Sequence, residues 1–282
     1  MPGYAAGMTA VSLSATIVTF RSDALLLERA LSSLAAAVAL ARERGLLGAA
    51  SLYIVDNGPD DARASLRDAL RTWPPEAGAV ELVAGHGNVG YGRGNNLVLP
   101  RLRSDLHLIL NPDVELDRDA LAHAIATLRG HPEVGLLAPA VVGDDGAPQY
   151  LCKRYPSVWV LFLRGFAPAP LRRHFAAALH RYEMRDALGA ELLTGVTLAS
   201  GCFMLVRTEL LTRLGGFDPG FFMYFEDYDL SVRIGRESAV AYEPRARIVH
   251  HGGEAARKGW RHVGWFARSA WRFFARHGWK FV

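Results

Sequence analysis

The sequence predicts an α/β fold, a mostly parallel central sheet flanked by helices. Three observations carry that expectation. Short β-branched or apolar runs alternate with helical periodicities as far as about residue 140, the pattern of successive strand–helix–strand units. Gly, Pro, Asn and Asp punctuate the runs where turns are needed. Two runs stop at a carboxylate, Asp56 and Asp113. That places both acids on the carboxyl rim of one sheet, where open α/β sheets bind ligands.

Taken in order, Ser14–Phe20 reads as the first strand, β-branched and apolar, after a weakly patterned lead-in over residues 1–12. Ser22 or Asp23 can cap the next helix, in which Leu26, Ala30, Leu34, Val38 and Ala41 recur at helical spacing up to Gly45. Leu52–Val55 is the second strand, closed by Asp56-Asn57-Gly58-Pro59, and a helix is expected from about Asp61 to Leu70. Val80–Val83 is the third strand. A glycine-rich stretch from Gly85 to Asn96 and a short helix lead to the fourth, Leu108–Leu110. Pro112 cannot donate to a ladder, so this strand ends at Asn111-Pro112-Asp113. A helix beginning at Asp117 or Asp119, a strand over Val134–Ala138 and a turn at Gly143–Gly146 follow. Residues 150–193 mix aromatics with arginines and read as a helical or irregular insertion. Beyond it come a strand over Thr197–Val206, a helix over Thr208–Leu214 and a helix carrying Leu230, Val232 and Ile234. Two strands, Val240–Tyr242 and Ala246–His250, complete the pattern, and a basic, aromatic C-terminal piece closes the chain.

Hydrophobic residues make up 50% and charged residues 21% of the 282 residues, which excludes a disordered chain. The formal charge of +4 favours anionic substrates or membrane faces, and no nucleic-acid partner is expected. Cys152 and Cys202 stand alone, so neither a disulfide framework nor a zinc site is expected, and a reducing, cytoplasmic setting fits. Neither a signal peptide nor a membrane-spanning run is expected.

Four clusters carry chemistry. Gly85-His86-Gly87-Asn88-Val89-Gly90 matches a dinucleotide-binding pattern, but two strand–helix units precede it and no long helix opens from its third glycine. Its neighbours Asn88, Arg93, Asn95 and Asn96 suit a nucleotide or phosphate instead. Asp56 can accept from a ribose hydroxyl or a base N–H, or close an Asx turn with Asn57-Gly58. Glu226, Asp227 and Asp229 follow a mostly aromatic run, where low polarity raises a carboxylate's pKa toward that of a useful base. They also suit a helix N-terminus, a reading that holds best for Asp229. His250-His251 ends a strand and offers imidazole to a divalent metal.

In this order, Asp56-Asn57-Gly58, Asn88 to Asn96, Leu110-Asn111-Pro112-Asp113, Ser200 to Met204, Gly215-Gly216-Phe217-Asp218, Phe221 to Leu230 and His250-x-Gly252-Gly253 resemble the family 2 inverting glycosyltransferases of GT-A fold, in particular their rhamnosyltransferase-like branch. The resemblance spans about Ser14 to Gly253 and is most specific over Phe217–Leu230. It implies a Rossmann-like GT-A domain over residues 1–257, with a nucleotide-binding half at about 12–140 and an acceptor half at about 195–257, and a C-terminal helical extension over 258–282. It implies a nucleotide-diphosphate sugar donor, such as a deoxythymidine-diphosphate rhamnose, a glycan or lipid-linked acceptor, and a divalent cation, Mg²⁺ or Mn²⁺. By position, Asp56, Asn57, Asn88, Gly90, Arg93, Asn95, Asn111 and Asp113 would meet the donor. Asp113 and His250 would hold the metal, Asp227 would be the catalytic base, and Glu226 would orient the acceptor or exchange that role with it. Asn111 departs from the family's Asp-x-Asp and removes one negative charge. The Gln/Arg-rich motif of processive relatives is missing, so one sugar per encounter is expected.

Two further readings stay beside this one: a catalytically silent nucleotide-sugar or glycan binder of the same fold, and a Rossmann oxidoreductase. The C-terminal piece, with Arg257, Lys258, Arg261, Arg268, Arg272, Arg276 and Lys280 among Trp260, Trp265, Phe266, Trp271, Phe273, Phe274 and Trp279, suits either peripheral contact with an anionic inner membrane face or packing on the domain.

Overall fold

The computed structural model describes residues 9–60, 63–252 and 259–282. The expected helix start at Asp61, Gly253 of the last motif, Arg257, Lys258 and the proposed boundary between residues 257 and 258 lie outside the described residues, as do the side chains of Trp260 and Arg261.

The strands are β1 (Val11–Thr19), β2 (Leu47–Asp56), β3 (Ala79–Ala84), β4 (Leu106–Leu110), β5 (Val114–Leu116), β6 (Val134–Val142), β7 (Leu193–Thr194), β8 (Phe203–Arg207) and β9 (Ala239–His250). They form one sheet in the order β3-β2-β1-β4-β8-β6-β9-β5, with β7 paired to β9. β3, β2, β1 and β4 are all parallel, the arrangement that strand–helix alternation requires. β8 runs antiparallel to β4 and to β6, and β6 is parallel to β9.

β4 is buried along its whole length, as its unbroken apolar run implies. Its one polar residue, His107, is 1% exposed and bonded to Ser14 Oγ at 2.7 Å and Thr16 Oγ1 at 3.1 Å. Burial pushes its pKa down to about 3, so it sits in the core as a neutral ring.

Helix α1 (Ala24–Glu43) is capped by Asp23, whose side chain accepts from the Leu26 N–H. Its 20 residues are long and apolar enough to cross a membrane by length and composition. Its Leu27, Leu31, Leu34 and Val38 are nevertheless buried in the sheet's main core, as in a core helix. The other helices are α2 (Arg63–Leu70), α3 (Tyr91–Asn96), α4 (Ala120–Gly130), α5 (Val158–Gly165), α6 (Ala169–His174), α7 (Ala176–Tyr182), α8 (Thr208–Arg213), α9 (Glu226–Gly235) and α10 (Gly259–His277).

Several elements differ from the sequence expectation. The region 150–193 is largely helical, as α5, α6 and α7. The strand expected over Thr197–Val206 begins only at Phe203, and the residues before it form a loop. The two short strands expected over 240–250 are one, bent where its pairing with β6 shifts register between Pro139 and Ala140, beside Pro244. β5 was too short to read from three residues, yet it sets Val114 opposite His250 and so decides the geometry of the site.

α10 packs against the turn before α9. Phe273 and Phe274 are 0% and 2% exposed, and Phe273 lies 5.4 Å from the rings of both Phe225 and Tyr155. Phe266 stands 5.2 Å from Phe225. Trp271 and Trp279 stay exposed.

Candidate active site

β2 ends in Asp56, which is buried, with Oδ1 accepting from Thr19 Oγ1 at 3.2 Å and from the Gly58 N–H at 2.9 Å. Asn57 links this corner to the glycine-rich segment: its Nδ2 donates to Gly90 O at 3.1 Å, and its Oδ1 meets His86 Nε2 at 2.9 Å. Asn88 is exposed and turns the chain by accepting from the Gly90 N–H at 3.0 Å. Gly90 has φ +89°, and a Cβ there would lie 2.3 Å from Phe222 O, so only glycine fits. The sequence expectation of a loop along these glycines is met only as far as Gly90, because α3 opens there. In α3, Arg93 Nε donates to Pro219 O at 2.7 Å from an exposed side chain, and Asn95 Nδ2 donates to Tyr91 O at 3.1 Å while its Oδ1 is buried with no hydrogen-bond partner among the described residues. Asn96 clasps the backbone of Phe217 in both directions.

The second corner lies past β4. Asn111 N–H donates to Cys202 O at 2.9 Å, extending the β4–β8 ladder by one bond. β5 then turns back along β9, and the His251 N–H donates to Asp113 O at 3.0 Å. His250 Nε2 comes to rest 3.7 Å from Asp113 Oδ1, a buried oxygen with no hydrogen-bond partner among the described residues. The His250 Nδ1 proton goes to Gln149 Oε1 at 3.1 Å, which turns the Nε2 lone pair toward Asp113. Burial holds His250 below its ordinary pKa, against the pull of Asp113. Gly252 covers the pair so closely that a Cβ would fall 2.2 Å from Asp113 Oδ2. His251 belongs elsewhere, bonded to Glu115 Oε1 at 2.7 Å and to Asp144. Among the described residues no group of three or more His, Cys, Asp or Glu side chains converges as a metal cage. Asp113 and His250 therefore fit a cation that completes its shell with water and phosphate oxygens.

The third corner is the start of α9. Tyr224 and Phe225 hold φ of +68° and +65°, a left-handed pair of bulky residues that costs on the order of 1–3 kcal/mol each. α10 holds the strain in place: Tyr224 Oη meets His262 Nδ1 at 2.9 Å, and Ser269 Oγ donates to Met223 O at 2.8 Å. The turn delivers Glu226 and Asp227 into the first turn of α9, where the helix dipole favours acids. Asp227 is half-buried, with Oδ2 accepting from the Gly201 N–H at 2.9 Å and Oδ1 from the Tyr228 N–H at 2.9 Å. Burial raises its pKa and these donors restrain the rise. Glu226 is buried, and its Oε2 has no hydrogen-bond partner among the described residues. Burial and the neighbouring Asp227 push its pKa up to about 8. Asp229 is structural, bonded to Arg233 at 2.7 Å and to His277 Nε2 at 2.8 Å, as the helix-terminus reading anticipated.

A carboxyl whose pKa rises on folding favours the folded state while protonated. Its penalty grows as pH climbs from the unfolded pKa, near 4.5, to the folded value, near 8. Glu226→Gln is therefore expected to gain stability relative to the parent as pH is raised across that window. Parallel thermal melts at pH 5 and pH 8.5 check it, and an unchanged difference between the two proteins refutes the assignment.

Adjacent residues of one loop join the last two corners. Gly201 binds Asp227 and Cys202 binds Asn111, while Tyr91 Oη donates to Gly201 O at 2.7 Å. Burial, with the charges of Asp113 and Asp227 nearby, holds the Cys202 thiol at a pKa of about 12. Ser200–Met204 is one of the motifs of the resemblance but nothing local in it marks a role, and Gln149 carries no sequence signal.

A mixed α/β sheet with acids at the ends of β2, β4 and a helix facing them defines a class. Among solved structures, GalNAc-T7 with UDP, GalNAc and Mn²⁺ is similar with a TM-score of 0.60 and 14% identity, over 88% of this chain and 44% of that one. The Pyrobaculum calidifontis mannosyltransferase PcManGT with GDP-Man and Mn²⁺ is similar with a TM-score of 0.55 and 17% identity, over 95% of this chain and 76% of that one. The fold is that of the GT-A glycosyltransferases. No protein-family model matches the chain. In sequence it is 28% identical over 242 residues to N-acetylglucosaminyl-diphospho-decaprenol L-rhamnosyltransferase of Mycobacterium tuberculosis, covering 80% of this chain and 71% of the relative. It is 26% identical to rhamnosyltransferase WbbL of Escherichia coli K12, covering 67% and 72%. The chain is a glycosyltransferase, and in sequence it is similar to rhamnosyltransferases.

Proposed function

We propose that the chain transfers a sugar, with inversion, from a nucleotide-diphosphate donor to an acceptor hydroxyl. The observation that carries this reading is the loop 200–202, which ties the Asp113–His250 corner to Asp227 through neighbouring residues. In this reading Asp56, Asn57, Asn88 and Gly90 cradle the nucleoside, and Asn111 lies beside the diphosphate. Asp113 and His250 hold the divalent cation, which when bound neutralises charge on the departing diphosphate. Asp227 is accessible and fixed by two backbone donors, so it takes the proton from the acceptor hydroxyl as that oxygen attacks the anomeric carbon. Glu226, protonated beside it, orients the acceptor and leaves Asp227 to carry the negative charge. One displacement suffices, with no covalent nucleophile.

The names of the Mycobacterium and Escherichia relatives support rhamnose as the sugar, and the former supports a lipid-linked acceptor. Action at the inner membrane face, from the cytoplasm, agrees with two free buried cysteines and exposed Trp271 and Trp279 on a basic C-terminal segment.

Asp113→Ala is expected to abolish the Mg²⁺- or Mn²⁺-dependent part of nucleoside-diphosphate binding and to leave the fold intact. A thermal-shift series with and without the cation reads it, since a ligand of the folded state raises the melting temperature by mass action. A variant that keeps the full cation-dependent shift removes Asp113 from the site.

A further inference from the structure

The two backbone donors on Asp227 differ in how they are themselves held. The Tyr228 N–H belongs to the next residue of the same helix and comes into place with α9. The Gly201 N–H comes from a loop, residues 199–202, between β8 and the bridge that pairs Leu198 with Lys153. Two side chains outside the loop clamp it. Tyr91 of α3 donates its hydroxyl to Gly201 O at 2.7 Å. Burial, with Cys202, Glu226 and Asp227 nearby, holds that phenol well above the ordinary tyrosine range, so the proton that fastens the loop is kept. Ser231, one turn after Asp227 on α9, is 0% exposed. Its Oγ donates back to Asp227 O at 2.7 Å and accepts from the Ala199 N–H at 3.0 Å. Gly201 passes through so tightly that a Cβ would lie 3.3 Å from Tyr91 Cε1 and 3.4 Å from Asp227 Cβ.

The surroundings of Asp227 make this loop matter. Among the described residues, the titratable groups facing it are Glu226 and Tyr228 on its own helix, Tyr91 on α3, Cys202 on the loop and Tyr182 on α7. None of these side chains can carry a positive charge. The ionised form of Asp227 is therefore favoured by backbone N–H groups, and of these the Gly201 N–H is the one brought from a distant part of the chain.

We infer that Tyr91 and Ser231 are positioning residues for the base: together they hold the 199–202 loop on α9, so that the Gly201 N–H keeps the Asp227 carboxylate ionised and fixed. The assignment rests on the glycosyltransferase reading of Asp227 and names what sets that residue's charge. It also joins the base to the donor corner, because Tyr91 follows Gly90, whose carbonyl accepts from Asn57 Nδ2 at 3.1 Å.

The test is a carboxyl ¹³C NMR titration of the full chain labelled at aspartate, in EDTA, with the Asp227 signal identified by its absence from Asp227→Asn. Tyr91→Phe removes only the hydroxyl and keeps the ring against Phe217, 6.0 Å away between centroids. Losing a bond to the ionised form raises a carboxyl's pKa, so the variant should titrate Asp227 higher by about half a pH unit or more. Ser231→Ala should move it in the same direction. Tyr155→Phe is the matched control: its hydroxyl also donates to a backbone carbonyl, Gly278 O at 2.6 Å, and its loss should leave Asp227 titrating as in the parent. An unmoved Asp227 in Tyr91→Phe overturns the proposal, as does an equal rise in Tyr155→Phe, which would mark general loosening. Single-turnover transfer by Tyr91→Phe should fall about tenfold with the Mg²⁺-dependent nucleoside-diphosphate thermal shift retained. Near-normal transfer by Asp227→Asn removes the base reading and the positioning role with it. Lost transfer in Asp227→Asn beside an unmoved titration in Tyr91→Phe removes the positioning role alone.

Discussion

Asp227→Asn is expected to lower turnover by about 10²–10⁴-fold while leaving nucleotide binding in place. An acceptor hydroxyl is a weak nucleophile, and Asp227 is the partly exposed carboxylate held at the end of the strained turn. The amide keeps the shape but cannot accept a proton. It also keeps one acceptor oxygen where the carboxylate has two, so either the Gly201 or the Tyr228 N–H loses its partner, at a cost of about 1 kcal/mol or more. Removing a half-buried charge offsets part of that cost, and the melting temperature should move little. Single-turnover transfer with the relatives' class of donor, beside a nucleotide thermal shift, separates the two effects. Near-normal turnover in the variant would show that Asp227 is not the base and would move attention to Glu226.

Phe273→Ala is expected to be the most destabilising single truncation in the C-terminal segment, by about 3–5 kcal/mol. The ring is fully buried and packs on Phe225, Tyr155, Phe274 and His277. For a chain of this size the melting temperature should fall by roughly 6–20 °C. The variant should also lose activity at temperatures where it remains folded. Phe225 sits under that ring in a left-handed conformation, and slackening its support lets the turn before Asp227 relax. Calorimetry and turnover measured well below the transition check both parts. A variant that is destabilised yet fully active would show that α10 holds the fold without holding the catalytic turn.

The parallel half of the sheet was legible because each of its strands is an apolar run ended by a turn residue, and the strand–helix alternation leaves one handed way to assemble them. That fixed Asp56 and Asp113 on one rim. The ordered motifs carried the likeness to glycosyltransferases, and the acids at 226 and 227 stood out because charge so rarely follows so many aromatics. The sequence was silent where contacts are long-range. A three-residue strand, β5, has no periodicity to read, yet its register with β9 is what faces Asp113 with His250. Gln149 meets His250 because the turn after β6 brings it back, and nothing local marks it. Arg93 and Asn95 were expected from the resemblance to meet the donor, and the bonds of Arg93 Nε to Pro219 O and of Asn95 Nδ2 to Tyr91 O could be seen only in the tertiary structure. The C-terminal piece could have faced a membrane or the domain. The burial of Phe266, Phe273 and Phe274 against Phe225 and its neighbours decided which aromatics pack, and left Trp271 and Trp279 outside. The chain itself thus determined the elements, their order and the identity of the acids, because those follow from local periodicity and turn chemistry. Which acids meet which partners, and which side chains are consumed by packing, was decided by tertiary structure, because distance between residues far apart in sequence is set by how the sheet and helices stack.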